Sequence, residues 1–180
     1  MDTVSAVRAV VAFPLLDADD KQWIDSIRAK HDPEAKHIAA HFTLVFPAVM
    51  PLRMTEAHVA RVAQSTEPIR FVLRRAAVVP DTVGTGGHVF LLAEDGRDAL
   101  AALHERLYEG VPQTHVRRMA SFMPHVTVAA SASIDPLHTL AGELNTKALA
   151  IRGSISEVVL VELTRAEIRN VGHFPLSGGP

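Results

Sequence analysis

Cysteine is missing from this chain of 180 residues. Its absence excludes disulfide bonds, thiolate nucleophiles, zinc ribbons and iron–sulfur clusters, because all of these depend on cysteine sulfur. A chain without cysteine suits a reducing compartment, and we expect a cytoplasmic protein. The segment Met1 to Ser5 carries an aspartate where a signal peptide would carry lysine, and no apolar run approaches the ~20 residues that span a bilayer. We therefore expect no association with a membrane.

The chain also lacks a large excess of either positive or negative charge, since 18 basic and 20 acidic residues give a formal net charge of −2. A chain without a broad positive field is not suited to a DNA duplex or a long RNA, although a local pocket can still hold a small anion. The hydrophobic content of 48% excludes a disordered chain. The length is that of one compact domain, and we expect residues 1–180 to form a single domain that acts as a monomer.

Hydrophobic periodicity divides the chain into strands and helices. Strands are predicted at 6–13, 41–46, 69–79, 88–93, 125–129, 148–152, 155–164 and 168–174, and helices at 18–30, 55–64, 96–108 and 135–144. Pro47 is expected to end the second strand, and Asp17 and Thr55 are candidate caps of the first two helices. This order predicts an α+β fold in which helices cover the outer faces of antiparallel sheets.

A glycine-rich segment, TVGTGG at 82–87, lies between two of the strand patterns. A phosphate-binding loop would be followed by a Lys-Ser/Thr pair and by the start of a helix, and neither occurs here. We therefore favour a hairpin turn over a phosphate-binding loop.

The most informative pattern occurs twice, as His-Phe-Thr-Leu-Val at 41–45 and His-Val-Thr-Val-Ala at 125–129. Residues i and i+2 of a strand point to the same face. His41 and Thr43 are therefore predicted to face one way, while Phe42, Leu44 and Phe46 face a core.

The second motif repeats this arrangement, with His125 and Thr127 on one face and Val126 and Val128 on the buried side. Chance alone gives roughly 0.6 His-x-Thr triplets in a chain of this composition, so the count by itself is weak. The context is stronger, because both triplets begin a hydrophobic alternation after a loop-like stretch. They also lie in different halves of the chain, as a duplicated structural unit would place them.

Two histidines that face one cleft are suited to acid–base chemistry on a phosphate, because histidine exchanges protons near neutral pH. One imidazole can take a proton from the nucleophile while the other protonates the departing oxygen. In-line displacement needs these groups on opposite sides of the phosphorus, which strands from two lobes supply. The hydroxyls of Thr43 and Thr127 can donate hydrogen bonds to the non-bridging oxygens.

Paired His-x-Thr strands in a chain of this length resemble the two-histidine phosphoesterase superfamily, which includes the 2'-5' RNA ligase and cyclic phosphodiesterase group. The match comprises HFTLVF at 41–46 and FMPHVTVA at 122–129, where a proline directly before the histidine is a familiar feature of the group. The resemblance implies a bilobal fold in which two antiparallel sheets face a central cleft. It also implies metal-independent hydrolysis or transfer, without a cofactor, at 2',3'-cyclic or 2'-5' phosphodiester bonds of small nucleotides or RNA ends.

Carried onto this sequence, the resemblance implies that His41 and His125 are the catalytic pair and that Thr43 and Thr127 bind the phosphate. Which histidine is the base stays open, because reversing the reaction exchanges the two roles. An alternative of a different class is a catalytically silent module that binds nucleotides or RNA ends, since a retained fold need not retain activity.

Residues just before the second motif depart from the family pattern. RNA-processing members often carry an arginine- and proline-rich stretch close to this histidine, whereas here Arg117 and Arg118 lie farther back. These arginines could bind a terminal phosphate or be exposed loop charges, and Phe122 could stack on a nucleobase or cover the core. The departure argues against a long RNA substrate more than against phosphoester chemistry.

The other histidines have no comparable support. A metal site is not expected, because neither motif contains an aspartate, glutamate or cysteine to complete a coordination shell. We interpret the remaining histidines as surface or packing residues: His31, His37, His58, His88, His104, His115, His138 and His173.

Overall fold

Two antiparallel sheets and four helices are formed by residues 6–109 and 122–179, the parts of the chain that the computed structural model describes. The strands are β1 (Ala6–Ala12), β2 (Leu15–Leu16), β3 (Phe42–Met50), β4 (Ile69–Pro80), β5 (Gly87–Asp95), β6 (His125–Ser131), β7 (Ile151–Ile155), β8 (Glu157–Leu163) and β9 (Ile168–Pro175). The helices are α1 (Ala18–His31), α2 (Leu52–Gln64), α3 (Arg97–Tyr108) and α4 (Asp135–Leu144), and a short 3₁₀ turn covers Pro33–Lys36.

The first sheet has the strand order β3-β1-β8-β9 and the second has the order β2-β7-β4-β5-β6. Helices α2 and α3 pack against the first sheet, and α1 and α4 pack against the second. The predicted α+β class with two antiparallel sheets is thus confirmed. Each sheet takes strands from both halves of the sequence, so the two lobes are interlaced along the chain.

A continuous hydrophobic core joins the two sheets. Phe42 of β3 and Phe71 of β4 are both buried, and their rings meet edge to face with centroids 4.9 Å apart. Such aromatic pairs are favoured beyond the area they bury. Because the core and the chain path both connect the lobes, we propose that the chain folds as one domain.

Pro47 lies inside β3, so the prediction that it ends this strand is wrong. The register of β3 against β1 shifts between the partners of Arg8 and Val10, which places an irregularity at Phe46 and Pro47. Among the described strands, β3 lies at the edge of its sheet and has β1 as its single neighbour. Proline has no N–H to donate and is tolerated at an edge or a bulge, so the strand continues to Met50.

The prediction that Thr55 caps α2 is wrong, because the helix begins at Leu52 and Thr55 lies inside it. The hydroxyl of Thr55 donates to the carbonyl of Pro51 at 2.7 Å. Asp17 does cap α1, accepting a hydrogen bond from the backbone N–H of Asp20 at 2.9 Å. The glycine-rich segment is confirmed as a turn, because β4 and β5 pair antiparallel on either side of it.

Candidate active site

The two His-x-Thr motifs lie on edge strands of different sheets, β3 in the first and β6 in the second, and these strands contact each other. His41 immediately precedes β3, and His125 is the first residue of β6. The predicted alternation holds from Phe42 to Leu44 in the first motif and from Val126 to Val128 in the second. Phe42 and Leu44 are fully buried, as are Val126 and Val128.

The motif histidines and threonines, His41, Thr43, His125 and Thr127, are only partly buried. Phe46 is partly buried as well, and Val45 takes its expected place in the core. The register of β3 against β1 shifts on both sides of Val45, which explains why Val45, and not Phe46, is buried in the core. The polar residues thus lie on the face away from the core, where a substrate can reach them.

Both imidazoles are held in the same way. Nδ1 of His41 donates to the carbonyl of Ala39 at 2.8 Å, and Nδ1 of His125 donates to the carbonyl of Met123 at 2.6 Å. In each case the acceptor lies two residues before the histidine. A carbonyl can only accept, so the neutral ring carries its proton on Nδ1 and Nε2 remains the basic nitrogen. The two rings are therefore prepared to exchange protons through Nε2.

His41, Thr43 and Thr127 line one cavity of about 230 Å³. His125 lies beside the cavity and outside its wall, stacked on Phe90 with ring centroids 3.6 Å apart and planes 12° apart. The structure thus brings three of the four predicted residues into the lining of one cavity, and the fourth is two residues from Thr127 on the same strand.

The pKa of His125 is lowered to about 4, chiefly by burial; the hydrogen bond to Met123 opposes this shift, and the positive charges of His41 and His88 add to it. Burial also lowers the pKa of His41, as does the charge of Arg28, while the hydrogen bond to Ala39 and the charge of Asp32 raise it. Both catalytic candidates are therefore neutral at neutral pH when no anion is bound. A bound phosphate would favour the protonated form and raise these pKa values.

The low pKa of His125 predicts a particular pH dependence of stability. In the unfolded chain this ring takes up a proton near its ordinary value of about 6.5, whereas in the folded protein it does so near pH 4. Between these values the unfolded state binds more protons, so the free energy of unfolding should fall as the pH is lowered across that window. Ring-proton NMR should show His125 titrating near pH 4, and H125N should lose this part of the pH dependence. A midpoint at 6.5 would contradict the assignment.

A buried ion pair that the sequence analysis did not identify lies in the wall of the same cavity and holds the segment before His41. Nε of Arg28 donates to Asp32 at 2.9 Å, and Nη2 donates to the carbonyl of Ile38 at 3.0 Å. Asp32 also accepts from the backbone N–H of Glu34 at 3.0 Å, and both charged side chains are at most 4% exposed. The pair thus ties the end of α1 to the segment that leads into His41. Its sequence signal was an Arg-Asp pair spaced i,i+4 beside the apolar residues of this helix.

Helix α3 secures the outer edge of β3. Nδ1 of His104 donates to the carbonyl of Leu44 at 2.7 Å, and the backbone N–H of Phe46 donates to the hydroxyl of Tyr108 at 3.0 Å. The ring of His104 also stacks on Phe122, with centroids 3.8 Å apart. These contacts hold the edge of β3 on which no described strand pairs, and they connect the two motif segments, so His104 has the packing role that was expected.

Of the substrate-binding candidates, Phe122 packs against the hydrophobic core and His104 and is not among the residues that line the cavity. Arg117 and Arg118 lie outside the described residues. His88, which was interpreted as a surface or packing residue, instead lines the cavity together with Thr127. Within residues 6–109 and 122–179 no three histidine, aspartate or glutamate side chains form a group that could hold a metal ion.

Comparisons with known proteins bear on both sequence and fold. A family model described as the 2'-5' RNA ligase superfamily matches residues 16–167. No curated protein matches the chain by sequence.

Several solved structures share the fold over almost their whole length. TT0787 of Thermus thermophilus has a TM-score of 0.70 at 20% identity, covering 96% of this chain and 98% of its own. LigT of E. coli complexed with 3'-AMP has a TM-score of 0.64 at 19% identity, with 96% and 98% covered. Usb1 of Kluyveromyces marxianus has a TM-score of 0.62 at 12% identity, with 96% and 99% covered. At these identities the likeness concerns the fold.

Proposed function

The chain belongs to the 2'-5' RNA ligase superfamily, as its two motifs indicated, and from that premise we propose that it is a metal-independent phosphodiesterase. Its substrates are 2',3'-cyclic phosphates or 2'-5' phosphodiester bonds of nucleotides or RNA ends. The observation that carries the proposal is the matched pair of imidazoles, each fixed through Nδ1 to a carbonyl two residues back, on contacting edge strands of two sheets.

The reaction follows from this arrangement. One neutral imidazole takes a proton from the attacking hydroxyl or water through Nε2 as the new P–O bond forms. The other, protonated once the phosphate is bound, gives its proton to the oxygen that leaves as the old P–O bond breaks. Thr43 and Thr127 donate hydrogen bonds to the non-bridging oxygens, where negative charge increases in the transition state. Exchange of the two histidine roles describes the reverse reaction.

The size and lining of the cavity favour a small substrate. A volume of about 230 Å³ can hold part of a nucleotide or the end of an RNA chain rather than a duplex. Aliphatic residues of β1 and β8, among them Val11 and Val161, supply an apolar wall that a sugar or base can contact. Structures of LigT complexed with 3'-AMP, ATP and NADP+ support small nucleotides as ligands of this fold. None of the described helices is long and apolar enough to cross a bilayer.

The direct test is a substrate panel assayed with a chelator present. We expect the protein to convert nucleoside 2',3'-cyclic monophosphates or 2'-5'-linked dinucleotides to phosphomonoesters, identified by ³¹P NMR. Nucleoside 3',5'-cyclic monophosphates serve as a comparison of equal charge. Micromolar binding without turnover of any substrate would favour the silent binding module instead. If the protein shows no binding and no turnover with any substrate, both proposed functions are overturned.

A further inference from the structure

A third histidine in the cavity wall is not part of either motif. His88 is the second residue of β5, and its Nδ1 lies 3.2 Å from Oδ1 of Asp81. The side chain is 41% exposed and lines the same cavity as His41 and Thr127. It is therefore accessible to a ligand while one ring nitrogen is next to a carboxylate.

Aromatic contacts connect His88 to the proposed catalytic pair. Its ring lies 5.9 Å from that of Phe90, and the ring of His125 is stacked on Phe90. The charge of His88 is one of the causes that lower the pKa of His125. A positive charge on His88 thus acts on His125, one of the two histidines proposed to act on the phosphate.

The turn between β4 and β5 keeps Asp81 in place. The backbone N–H of Asp81 donates to the carbonyl of Gly86 at 3.0 Å, and the hydroxyl of Thr85 donates to the carbonyl of Ala132 at 3.0 Å. A Cβ at Gly86 would collide with the carbonyl of Ser131 and lie 2.9 Å from Oδ2 of Asp81. The turn therefore packs tightly on the end of β6, which explains why glycine is needed beside this carboxylate.

The charges of the cavity leave a role for His88. Across the cavity, Arg28 is engaged by Asp32 and by the carbonyl of Ile38, and Glu34 adds a further negative charge. His41 and His125, the other histidines of this region, are needed for proton transfer if the proposed function holds. Among the described residues that line the cavity, His88 is thus the remaining side chain that can bring positive charge to a phosphate.

We propose that His88, oriented by Asp81, is a further substrate-binding residue whose protonated ring donates a hydrogen bond to a non-bridging phosphate oxygen. The identity of the substrate rests on the proposed function, whereas the test below uses inorganic phosphate and does not require turnover. Hydrogen bonds in which the donor is charged are among the stronger polar contacts of proteins. The carboxylate of Asp81 lies against Nδ1, so that Nε2 is the nitrogen left to donate toward the ligand.

Inorganic phosphate is the probe for this test, with affinity measured by calorimetry and the His88 ring observed by NMR. We expect H88N to bind phosphate about 10- to 100-fold more weakly, H88K to retain most of the affinity, and D81N to fall between them. Phosphate should also shift the His88 ring resonances of the unaltered protein.

His173 supplies a matched control, because its Nδ1 lies 3.2 Å from Oε1 of Glu157 on the surface, away from the cavity. H173N should bind phosphate as the wild type does. The proposal is overturned if H88N binds phosphate normally, if H173N loses as much affinity, or if the wild type binds no phosphate. Turnover of cyclic nucleotides with unchanged KM in H88N would also overturn it and would leave the proposed function intact. Phosphate binding that depends on His88 in a protein without turnover would overturn only the proposed function.

Discussion

Replacing His125 by asparagine should reduce the turnover of a 2',3'-cyclic nucleotide by about 10²- to 10⁴-fold while leaving the fold intact. The amide nitrogen of asparagine can occupy the place of Nδ1 and donate to the carbonyl of Met123, which the histidine holds at 2.6 Å. What the variant lacks is Nε2, the nitrogen that we assign to proton transfer. H41N makes the same test on the other strand, since Ala39 is the equivalent acceptor. Far-ultraviolet circular dichroism and the melting temperature check that both variants fold.

Three further variants make this test specific. H125Q places an amide near the position of Nε2, where it can form a hydrogen bond but cannot transfer a proton, so it should be as inactive as H125N. H138N removes an exposed histidine of α4 and should keep full activity. The double variant H41N/H125N should be little worse than either single one, because residues that act as a unit are not additive. Normal turnover in H41N or H125N would remove the catalytic assignment.

The part of the site that could be predicted from the sequence is the part encoded by alternation along a strand. Apolar residues at Phe42 and Leu44, and at Val126 and Val128, determine which face each motif presents, and the structure confirms these faces. The family resemblance supplied the bilobal arrangement and the pairing of distant motifs. Periodicity alone could not have placed β3 and β6 at contacting edges, since strand order is decided by contacts between distant segments.

What the sequence did not reveal depends on irregularities and on neighbours far along the chain. Pro47 predicts the end of a strand unless it is known that β3 has a bulge there and lies at the edge of its sheet. His88 resembles the other isolated histidines until the turn at Asp81 and the ring of Phe90 place it in the cavity wall. Its spacing from Phe90, i to i+2 on one strand, is a weak signal that many surface strands share.

Asparagine at position 32 should lower the free energy of unfolding by about 3–5 kcal/mol, because it leaves Arg28 charged and buried without a counter-charge. The isosteric amide can still accept from the N–H of Glu34, but its NH2 group then faces Nε of Arg28, so the change removes both the charge and the hydrogen bond from Arg28. Urea denaturation measures the difference. A loss below about 1 kcal/mol would show that this pair is not desolvated in the folded protein.

Helix α1 also carries the matched control. Lys21 and Asp25 form an ion pair at the same i,i+4 spacing, 2.5 Å apart, but with side chains 64% and 43% exposed. D25N should therefore cost no more than about 0.5 kcal/mol, and high salt should abolish that effect. The contrast between the two pairs isolates burial as the cause, because helix and spacing are shared.

Replacing both partners should separate stability from activity. R28M/D32L puts apolar side chains in the place of a buried ion pair, a change that recovers much of the stability lost in D32N. The hydrogen bond from Arg28 to the carbonyl of Ile38 is still missing, however, and with it the restraint on the segment that positions His41. Turnover should therefore stay low in a protein that unfolds nearly like the wild type, with kcat reduced more than KM is raised. Recovery of activity together with stability would mean that the pair acts on the fold alone.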